Sequence, residues 1–387
     1  MAGIYIHIPF CKQTCYYCNF HFSTSFVLRD EVINSLIKEI EIRSSFLQRN
    51  EKKETSILAS KNEIVETIYF GGGTPSLLSQ NKIHTLLSAV RKNYNVDANA
   101  EITLEANPDD INVEKLKEWK SAGINRLSIG IQSFIERDLL WMNRSHNSLQ
   151  ALECINFAKE IGFNNFSIDL IFGTPGLTNE EWKENVQRVI DLNVPHVSCY
   201  ALTVEPKTAL QKMITLKKKE DINTDVQATQ YIMLMQMMRD AGYEHYEISN
   251  FAKPGFRSRH NSSYWQGEKY IGIGPSAHSF DGKMRMWNKA HNVFYIKSID
   301  QNIIPFEKEI LTETQKLNEY ILTSLRTSEG LDLKYIENTF SIDERKRIEN
   351  LIMNEVEKKI IFIRKEKIIL TDEGKLFADG ISVKLFL

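Results

Sequence analysis

The stretch G-I-Y-I-H-I-P-F-C-K-Q-T-C-Y-Y-C, from Gly3 to Cys18, joins a short strand pattern to a compact group of cysteines. Apolar and polar residues alternate from Ile4 to Ile8, which is typical of a β-strand with one face in a core. Cys11, Cys15 and Cys18 follow with C-x3-C-x2-C spacing. The loop that leaves this strand therefore carries three thiols suited to binding metal.

Strand patterns and helix patterns alternate from the N-terminus to about residue 202. The predicted strands are Ile4 to Ile8, Glu66 to Phe70, Ile102 to Ala106, Arg126 to Gln132, Phe166 to Phe172 and Val197 to Leu202. The predicted helices between them are Arg29 to Leu47, Asn81 to Asn93, Val113 to Ala122, Leu149 to Ile161 and Glu180 to Leu192. This alternation indicates an α/β fold with parallel strands. It fits a partial barrel or an open doubly wound sheet, and both place ligands at the carboxyl ends of the strands.

The length of 387 residues allows one large core and a smaller second domain. We predict a core barrel over residues 1–210, a barrel extension over 211–304 and a small winged-helix-like domain over 305–387. In the last part, helices are predicted at Thr314 to Leu325 and Asp343 to Val356, and a hairpin at Ile360 to Leu370. The polar segment Gln48 to Lys61 is predicted to be an exposed excursion.

Charge and hydropathy restrict the classes of partner. A net charge of -2 with 25% charged residues gives no general attraction to nucleic acid, so no nucleic-acid partner is predicted. No apolar run approaches the roughly 20 residues that cross a bilayer, and the first residues are too few for a signal peptide. We therefore expect a cytoplasmic protein that is not an integral membrane protein. Of the five cysteines, Cys154 and Cys199 stand alone and are predicted to be buried apolar residues rather than disulfide partners.

Three thiolates from one short loop suit a [4Fe-4S] cluster. Such a cluster has four irons, so Cys11, Cys15 and Cys18 would bind three corners and leave one iron open to another molecule. Zinc is the alternative metal, because C-x2-C pieces also occur in zinc sites. A structural zinc ion needs a fourth ligand, and His21 is the residue that would supply it.

Further motifs lie where the predicted strands end. Y-F-G-G-G-T-P-S, from Tyr69 to Ser76, follows the second strand, and its glycines allow the main chain to approach a ligand closely. Glu105 closes the third strand, Gln132 closes the fourth, and Asp169 lies in the fifth. Each of these side chains alone is equally suited to capping or to a buried hydrogen bond. Together they predict a site at the carboxyl edge of the sheet.

The combination of motifs resembles the radical SAM (S-adenosylmethionine) superfamily. C-K-Q-T-C-Y-Y-C, with an aromatic residue before the last cysteine, is similar to the cluster signature, and the GGG turn is similar to the motif for the SAM amino group. The resemblance implies a partial parallel (β/α)6 barrel, a [4Fe-4S] cluster on the three cysteines, and reductive cleavage of SAM at the open iron.

Within the superfamily, the whole chain resembles the branch of coproporphyrinogen dehydrogenases and heme chaperones. By that resemblance, Tyr5, Gly72 and Glu105 would contact the cluster-bound SAM, with Glu105 at the ribose hydroxyls. Other positions would line a second SAM or a neighbouring substrate space: Tyr17, Gly73, Thr74, Gln132, Arg144 and Asp169. A planar guanidinium such as that of Arg144 is suited to a two-point contact with a carboxylate.

Three features favour the heme chaperones over the dehydrogenases. Phe20 stands where the dehydrogenases typically have a further cysteine, and Tyr5 already lies in the first strand, before which the dehydrogenases have a long extension. R-H-N-S-S-Y-W-Q-G, from Arg259 to Gly267, resembles the H-N-x-x-Y-W signature of the heme chaperones. A helix there would place His260 and Tyr264 on one face as candidate heme ligands, with a packing motif as the alternative.

The resemblance therefore implies a protein that binds heme or porphyrin, passes heme to an acceptor hemoprotein and receives electrons from a donor protein. The alternative function is that of an oxygen-independent coproporphyrinogen III dehydrogenase. That enzyme converts two propionate side chains to vinyl groups with loss of carbon dioxide.

Overall fold

A computed structural model describes residues 2–49 and 63–387 of the chain. The strands are β1 (Ala2–Ile8), β2 (Ile64–Gly72), β3 (Asn95–Ala106), β4 (Arg126–Gln132), β5 (Phe166–Phe172), β6 (His196–Ala201), β7 (Glu244–Glu247), β8 (Asn250–Ala252), β9 (Lys269–Ile273), β10 (His278–Phe280), β11 (Met284–Asn288), β12 (Phe306–Ile310), β13 (Leu331–Asp332), β14 (Ile361–Arg364) and β15 (Lys367–Leu370). Most of the predicted excursion Gln48 to Lys61 lies outside the described residues.

The helices of the described residues alternate with these strands through the first half of the chain. They are α1 (Arg29–Arg49), α2 (Gln80–Asn93), α3 (Val113–Ala122), α4 (Glu136–Met142), α5 (Ser148–Glu160), α6 (Asn179–Asp191), α7 (Ala209–Thr215), α8 (Thr224–Asp240), α9 (Arg259–Trp265), α10 (Asn292–Asp300), α11 (Glu313–Leu325), α12 (Leu333–Thr339), α13 (Ile342–Leu351), α14 (Met353–Glu357), α15 (Asp372–Lys375) and α16 (Ala378–Leu385). None of the described helices is both long and apolar enough to span a membrane.

Strands β1 to β6 lie side by side in chain order, and every neighbouring pair is parallel. This arrangement confirms the predicted α/β class and the six-unit partial barrel. On the far side of β1, β9 pairs parallel with it, and β10 to β12 continue the sheet in antiparallel fashion. Beside β6, β8 and β7 form an antiparallel edge. The six strand ends that were predicted to carry the site therefore share one rim.

Alternation along β1 divides its side chains between two environments. Ile4, Ile6 and Ile8 are fully buried in the main hydrophobic core, which the barrel strands share with their covering helices. Tyr5 and His7 point to the other side, because successive strand residues face opposite faces. The interior side of the barrel is polar on the neighbouring strands as well, with Thr67, Glu101 and Arg126 all buried. The barrel thus encloses a lining of hydrogen-bonding groups.

Local sequence signals explain where the covering helices begin and end. Helix α6 starts with a capping box, in which the Thr178 side chain accepts from the Glu181 amide and the Glu181 side chain accepts from the Thr178 amide. Helix α3 ends at Gly123, whose φ of 106° is left-handed and favours glycine. These helices are amphipathic and bury residues such as Trp119 and Trp182 against the sheet.

The C-terminal part has its own core, which includes Leu317, Ile321 and Ile368. Helices α11 to α16 pack around a three-stranded antiparallel sheet in the order β13-β15-β14, as in a small winged-helix domain. The predicted hairpin is present as β14 and β15, but the helix predicted from Asp343 to Val356 is divided at Ile352 into α13 and α14. The three domain boundaries given above stay predictions.

Candidate functional site

Backbone hydrogen bonds fix the cysteine loop at the carboxyl end of β1. The Cys11 amide donates to the Ser23 carbonyl at 3.0 Å, and the Ser23 amide donates to the Pro9 carbonyl at 2.9 Å. Further along, the Tyr16 amide donates to the Met142 carbonyl at 3.1 Å, and the Tyr16 carbonyl accepts from the Leu210 amide at 2.8 Å. Helices α4 and α7 therefore hold the middle of the loop against the barrel rim.

The three cysteines of this loop are free and partly buried. Burial raises the pKa of Cys11 to about 11, and burial also raises the pKa of Cys18. Thiols that are this hard to ionise become thiolates when a bound metal compensates the charge. Cys154 and Cys199 are buried, as predicted.

The same loop offers no preformed site for a single metal ion. Within residues 2–49 and 63–387, no three His, Cys, Asp or Glu side chains are grouped closely enough to hold one. His21, the ligand that the zinc alternative required, is hydrogen-bonded through Nε2 to Asn292 Oδ1 at 2.8 Å. Three free thiols in one loop match in number the three protein ligands of a cluster with one open iron.

Arg144 connects the cysteine loop to the rim of β4. Its Nη1 lies 3.2 Å from Cys15 Sγ and 3.4 Å from the Tyr17 hydroxyl, while Nη2 donates to Asn107 Oδ1 at 2.8 Å and to the Gly130 carbonyl at 2.7 Å. Its Nε is buried and has no hydrogen-bond partner among the described residues. The two terminal nitrogens of the guanidinium therefore link the cysteine loop to β4.

Gln132 and Asp169 lie at the same rim as Arg144. Gln132 ends β4 with a left-handed φ of 69°, and a Cβ placed on Gly130 would lie 3.0 Å from Gln132 Nε2 and 3.2 Å from Arg144 Nη2. Burial raises the pKa of Asp169 to about 6, although a hydrogen bond from Ser198 opposes the rise. The structure therefore brings together most of the residues that were predicted to line a second SAM or a neighbouring substrate space.

The glycine turn after β2 packs directly against the start of the cysteine loop. The Gly73 amide donates to the Ile8 carbonyl at 2.9 Å, and the Thr74 amide donates to the Phe10 carbonyl at 2.7 Å. A Cβ on Gly72 would lie 2.5 Å from the His7 ring, and one on Gly73 would lie 2.6 Å from the Phe10 carbonyl oxygen. Only glycine allows this approach of the two loops.

Glu105 lies on the neighbouring strand β3, directly beside this turn. Its Oε2 accepts from the Gly72 amide at 3.1 Å, and its carboxylate is also hydrogen-bonded by Tyr69. Burial raises the pKa of Glu105 to about 7, the Tyr69 hydrogen bond opposes the rise, and nearby Asp169 adds to it. Near neutral pH this carboxylate is therefore poised between its two protonation states and accepts hydrogen bonds when ionised.

Tyr5 and His7 complete the lining next to β2. The Tyr5 hydroxyl lies 3.2 Å from His7 Nδ1, and His7 Nε2 lies 2.9 Å from the His21 carbonyl. Burial lowers the pKa of His7 to about 4, so the ring is neutral and donates from Nε2 to that carbonyl while Nδ1 accepts. Burial raises the pKa of Tyr5, so its hydroxyl keeps its proton.

His260 and Tyr264 lie on α9, as the sequence predicted for one helix face. His260 Nδ1 is hydrogen-bonded to Thr67 Oγ1 at 2.7 Å, and its Nε2 is hydrogen-bonded to the Tyr264 hydroxyl at 2.8 Å. The His260 side chain is buried. Heme ligation by either residue would require one of these hydrogen bonds to break, and the ligand role stays a prediction.

Sequence reasoning did not assign three residues that the structure places in the lining. Tyr69 bonds to Glu105, His7 faces Gly72, and Asn107 accepts from Arg144. His7 lies in β1, Tyr69 lies in β2, and Asn107 directly follows β3. Strand alternation is the signal that would have found His7, since it lies two residues after Tyr5 on the same side of β1.

Comparison with known proteins matches the Radical SAM superfamily model to residues 5–189. The heme chaperone HemW of Lactococcus lactis subsp. lactis (strain IL1403) is 33% identical over 396 residues, spanning 99% of this chain and 97% of that protein. The heme chaperone HemW of Bacillus subtilis (strain 168) is 32% identical over 384 residues, spanning 98% of each. The chain belongs to the radical SAM superfamily and to its HemW family. Membership in the superfamily implies a [4Fe-4S] cluster and SAM.

A solved structure of coproporphyrinogen III oxidase (HemN) from Escherichia coli, described as a radical SAM enzyme, has the same fold. It superposes with a TM-score of 0.83 at 24% identity, over 100% of this chain and 90% of that one. At this identity the likeness concerns the fold alone. The predicted membership in the heme chaperone branch of the superfamily is confirmed by the HemW relatives.

Proposed function

We propose that this radical SAM protein is a heme chaperone, which binds heme and transfers it to an acceptor hemoprotein. The observation that carries the proposal is full-length similarity to proteins named heme chaperone HemW. Phe20 agrees with it, because the side chain at the position of the dehydrogenases' further cysteine is an exposed phenylalanine that cannot ligate metal.

In this proposal Cys11, Cys15 and Cys18 hold a [4Fe-4S] cluster at the carboxyl end of β1. Support comes from the anchored loop, which holds three free cysteines at the end of one strand. When bound, the cluster and SAM supply one-electron reductive cleavage of the sulfonium. A cytoplasmic electron donor protein reduces the cluster.

Tyr5, Gly72 and Glu105 position the SAM bound at the open iron, with the Glu105 carboxylate accepting hydrogen bonds from the ribose hydroxyls. Glu105 suits this role because it is fixed by the Gly72 amide and by Tyr69. A second SAM or a neighbouring ligand is lined by a further group of residues: Tyr17, Gly73, Thr74, Gln132, Arg144 and Asp169. The positive charge of the Arg144 guanidinium, next to Cys15 and Tyr17, supports an anionic group there, such as a carboxylate.

Anaerobic reconstitution with iron and sulfide tests the cluster. Wild type is expected to gain about four irons and the broad visible absorbance of a cluster, whereas Cys11→Ala, Cys15→Ala and Cys18→Ala are each expected to lose the absorbance and SAM cleavage. Cys154→Ala is the matched control, because that thiol is buried in α5 and outside the loop. Unchanged iron content in a triple Cys→Ala variant would contradict the assignment.

Heme transfer is tested on the reconstituted protein with SAM and reductant present. We expect stoichiometric heme uptake, seen as a Soret band, and passage of heme to an added apo-hemoprotein. A parallel reaction receives coproporphyrinogen III in place of heme. Formation of protoporphyrinogen without stable heme uptake would overturn the chaperone proposal in favour of the dehydrogenase.

A further inference from the structure

Helix α9, which carries the H-N-x-x-Y-W residues, is anchored beneath the barrel by charged groups of three strands. Glu101 on β3 accepts from the His260 amide at 3.1 Å and from the Arg259 amide at 3.3 Å. The Arg259 side chain reaches Glu66 on β2 at 3.1 Å, and the buried Arg126 on β4 lies 3.9 Å from Glu101. The position of α9 is therefore tied to the strands that carry the SAM-site residues.

The imidazole of His260 is held on every side. Thr67 and Tyr264 occupy its two ring nitrogens at 2.7 and 2.8 Å. From β1, a Cβ added to Gly3 would lie only 3.2 Å from the His260 ring, so the ring packs closely on the bare backbone there. Burial lowers the pKa of His260 to about 3, which keeps the ring neutral. A neutral ring with both nitrogens engaged has one orientation.

Tyr69 lies between His260 and the SAM site. Its ring stacks on the His260 ring with centroids 5.0 Å apart and an interplanar angle of 22°. Its ring edge meets Glu105 at Gly71, where an added Cβ would lie 2.9 Å from Tyr69 Cε1 and 3.0 Å from Glu105 Oε1. Interaction with the Tyr69 hydroxyl lowers the pKa of the Glu105 carboxyl, against the larger effect of burial, which raises it. On its other side the Tyr69 ring stacks on Tyr5 at 6.1 Å. The Tyr69 ring thus contacts both His260 and Tyr5, and it lies next to the Glu105 carboxylate.

We propose that His260 and Tyr264 are positioning residues, which orient Tyr69 and through it hold the Glu105 carboxylate for the ribose of SAM. This role rests on the proposed function, since it takes Glu105 to be a SAM contact. In this role the H-N-x-x-Y-W segment supports the SAM site of the barrel, and the role does not require heme. The contacts lead from His260 on α9 to Tyr69 on β2 and from Tyr69 to Glu105 on β3.

The test is a double-mutant cycle on the reconstituted full-length protein, read by SAM-induced changes in the EPR spectrum of the reduced cluster. His260→Leu removes both hydrogen bonds and the ring, and Tyr69→Phe keeps the ring but removes the hydroxyl. Each is expected to weaken SAM binding about tenfold, because each leaves the Glu105 carboxylate without its oriented donor. The double variant is expected to bind no more weakly than either single variant.

Ser262→Ala on the same helix is the control, because the Ser262 side chain does not contact His260, Tyr264, Tyr69 or Glu105. SAM binding by this variant should stay within twofold of wild type. Additive losses in the double variant, or wild-type SAM binding by His260→Leu, would overturn the role. If His260→Leu does not fold, Tyr264→Phe takes its place in the cycle, because it frees His260 Nε2 at the cost of one oxygen. Failure of wild type itself to respond to SAM would instead overturn the proposed function. Reduced heme uptake by His260→Leu with unchanged SAM binding would assign the residue to heme and reject this inference.

Discussion

At the scale of single residues, Arg144 is a cation in direct contact with a cysteine of the cluster loop. Its Nη1 lies 3.2 Å from Cys15 Sγ. Burial opposes the charge of its guanidinium, but the neighbouring Tyr17 and Cys15 groups outweigh burial and raise the pKa of Arg144, so the guanidinium stays charged. A positive charge and an N–H···S hydrogen bond stabilise the more negative, reduced state of an iron–sulfur cluster. Arg144 is therefore expected to raise the reduction potential of the cluster.

Replacing Arg144 with Met should lower the midpoint potential of the reconstituted cluster by on the order of 50 mV, close to a tenfold change in a one-electron equilibrium. The Arg144→Lys variant keeps the charge but not the planar guanidinium, so its midpoint potential should lie between those of wild type and Arg144→Met. The measurement is a redox titration without SAM. Arg137→Met is the control, because Arg137 lies on α4 but pairs with exposed Glu181. An unchanged potential at full iron content would show that the arginine does not act on the cluster.

At the scale of elements, the end of β2 depends on glycine at position 72 more strictly than the turn at Gly176 depends on its glycine. Gly72 has a φ of 108°, and a Cβ there would lie 2.5 Å from the His7 ring. Gly176 has a φ of 87° and has no heavy atom within 4 Å of such a Cβ. Alanine at Gly176 therefore adds backbone strain alone, whereas alanine at Gly72 adds both backbone strain and steric overlap.

Gly176→Ala should lower the free energy of unfolding by about 1–2 kcal/mol, the strain of a left-handed residue. Gly72→Ala should cost roughly 1–3 kcal/mol more, because the His7 ring must move out of a packed site. Urea unfolding of both apo variants measures the difference. Equal losses would mean that the turn relaxes freely around the added methyl group.

Strand positions in the barrel could be predicted because alternation and flanking helices are local signals. The predicted Arg126 to Gln132 and Phe166 to Phe172 coincide with β4 and β5. The pairing of β9 with β1 could not be predicted, because it joins segments far apart in sequence and no local pattern records it. That pairing extends the sheet beyond the six predicted strands.

The candidate site could be predicted where parallel strands end, because all such ends meet at one rim. Glu105 and Gln132 were found in this way. Tyr69 was not, because an aromatic residue inside a strand equally predicts core packing. The hydrogen bonds on His260 depend on Thr67 and on the placement of α9, which only the tertiary structure gives.

At the scale of the whole molecule, buried titratable groups set how stability depends on pH. Burial lowers the pKa of five histidines: His7, His146, His196, His245 and His260. In the opposite sense, burial raises the pKa of Glu105 and Glu247 to about 7 and that of Asp169 to about 6. The histidines contribute stability above their unfolded pKa that is lost as the pH falls, whereas these carboxyls contribute stability that is lost as the pH rises.

Between pH 5 and 6.5 the histidines outnumber the carboxyls, so unfolding should take up roughly two to three protons and the free energy of unfolding should rise by about 3 kcal/mol per pH unit. Urea unfolding of the apo-protein across this window measures the slope. His245→Gln removes one buried histidine and should lower the slope by about 1 kcal/mol per pH unit. His84→Gln removes an exposed histidine and should leave it unchanged. A slope of zero or of opposite sign would mean that the buried carboxyls, rather than the histidines, dominate the proton balance of the folded barrel.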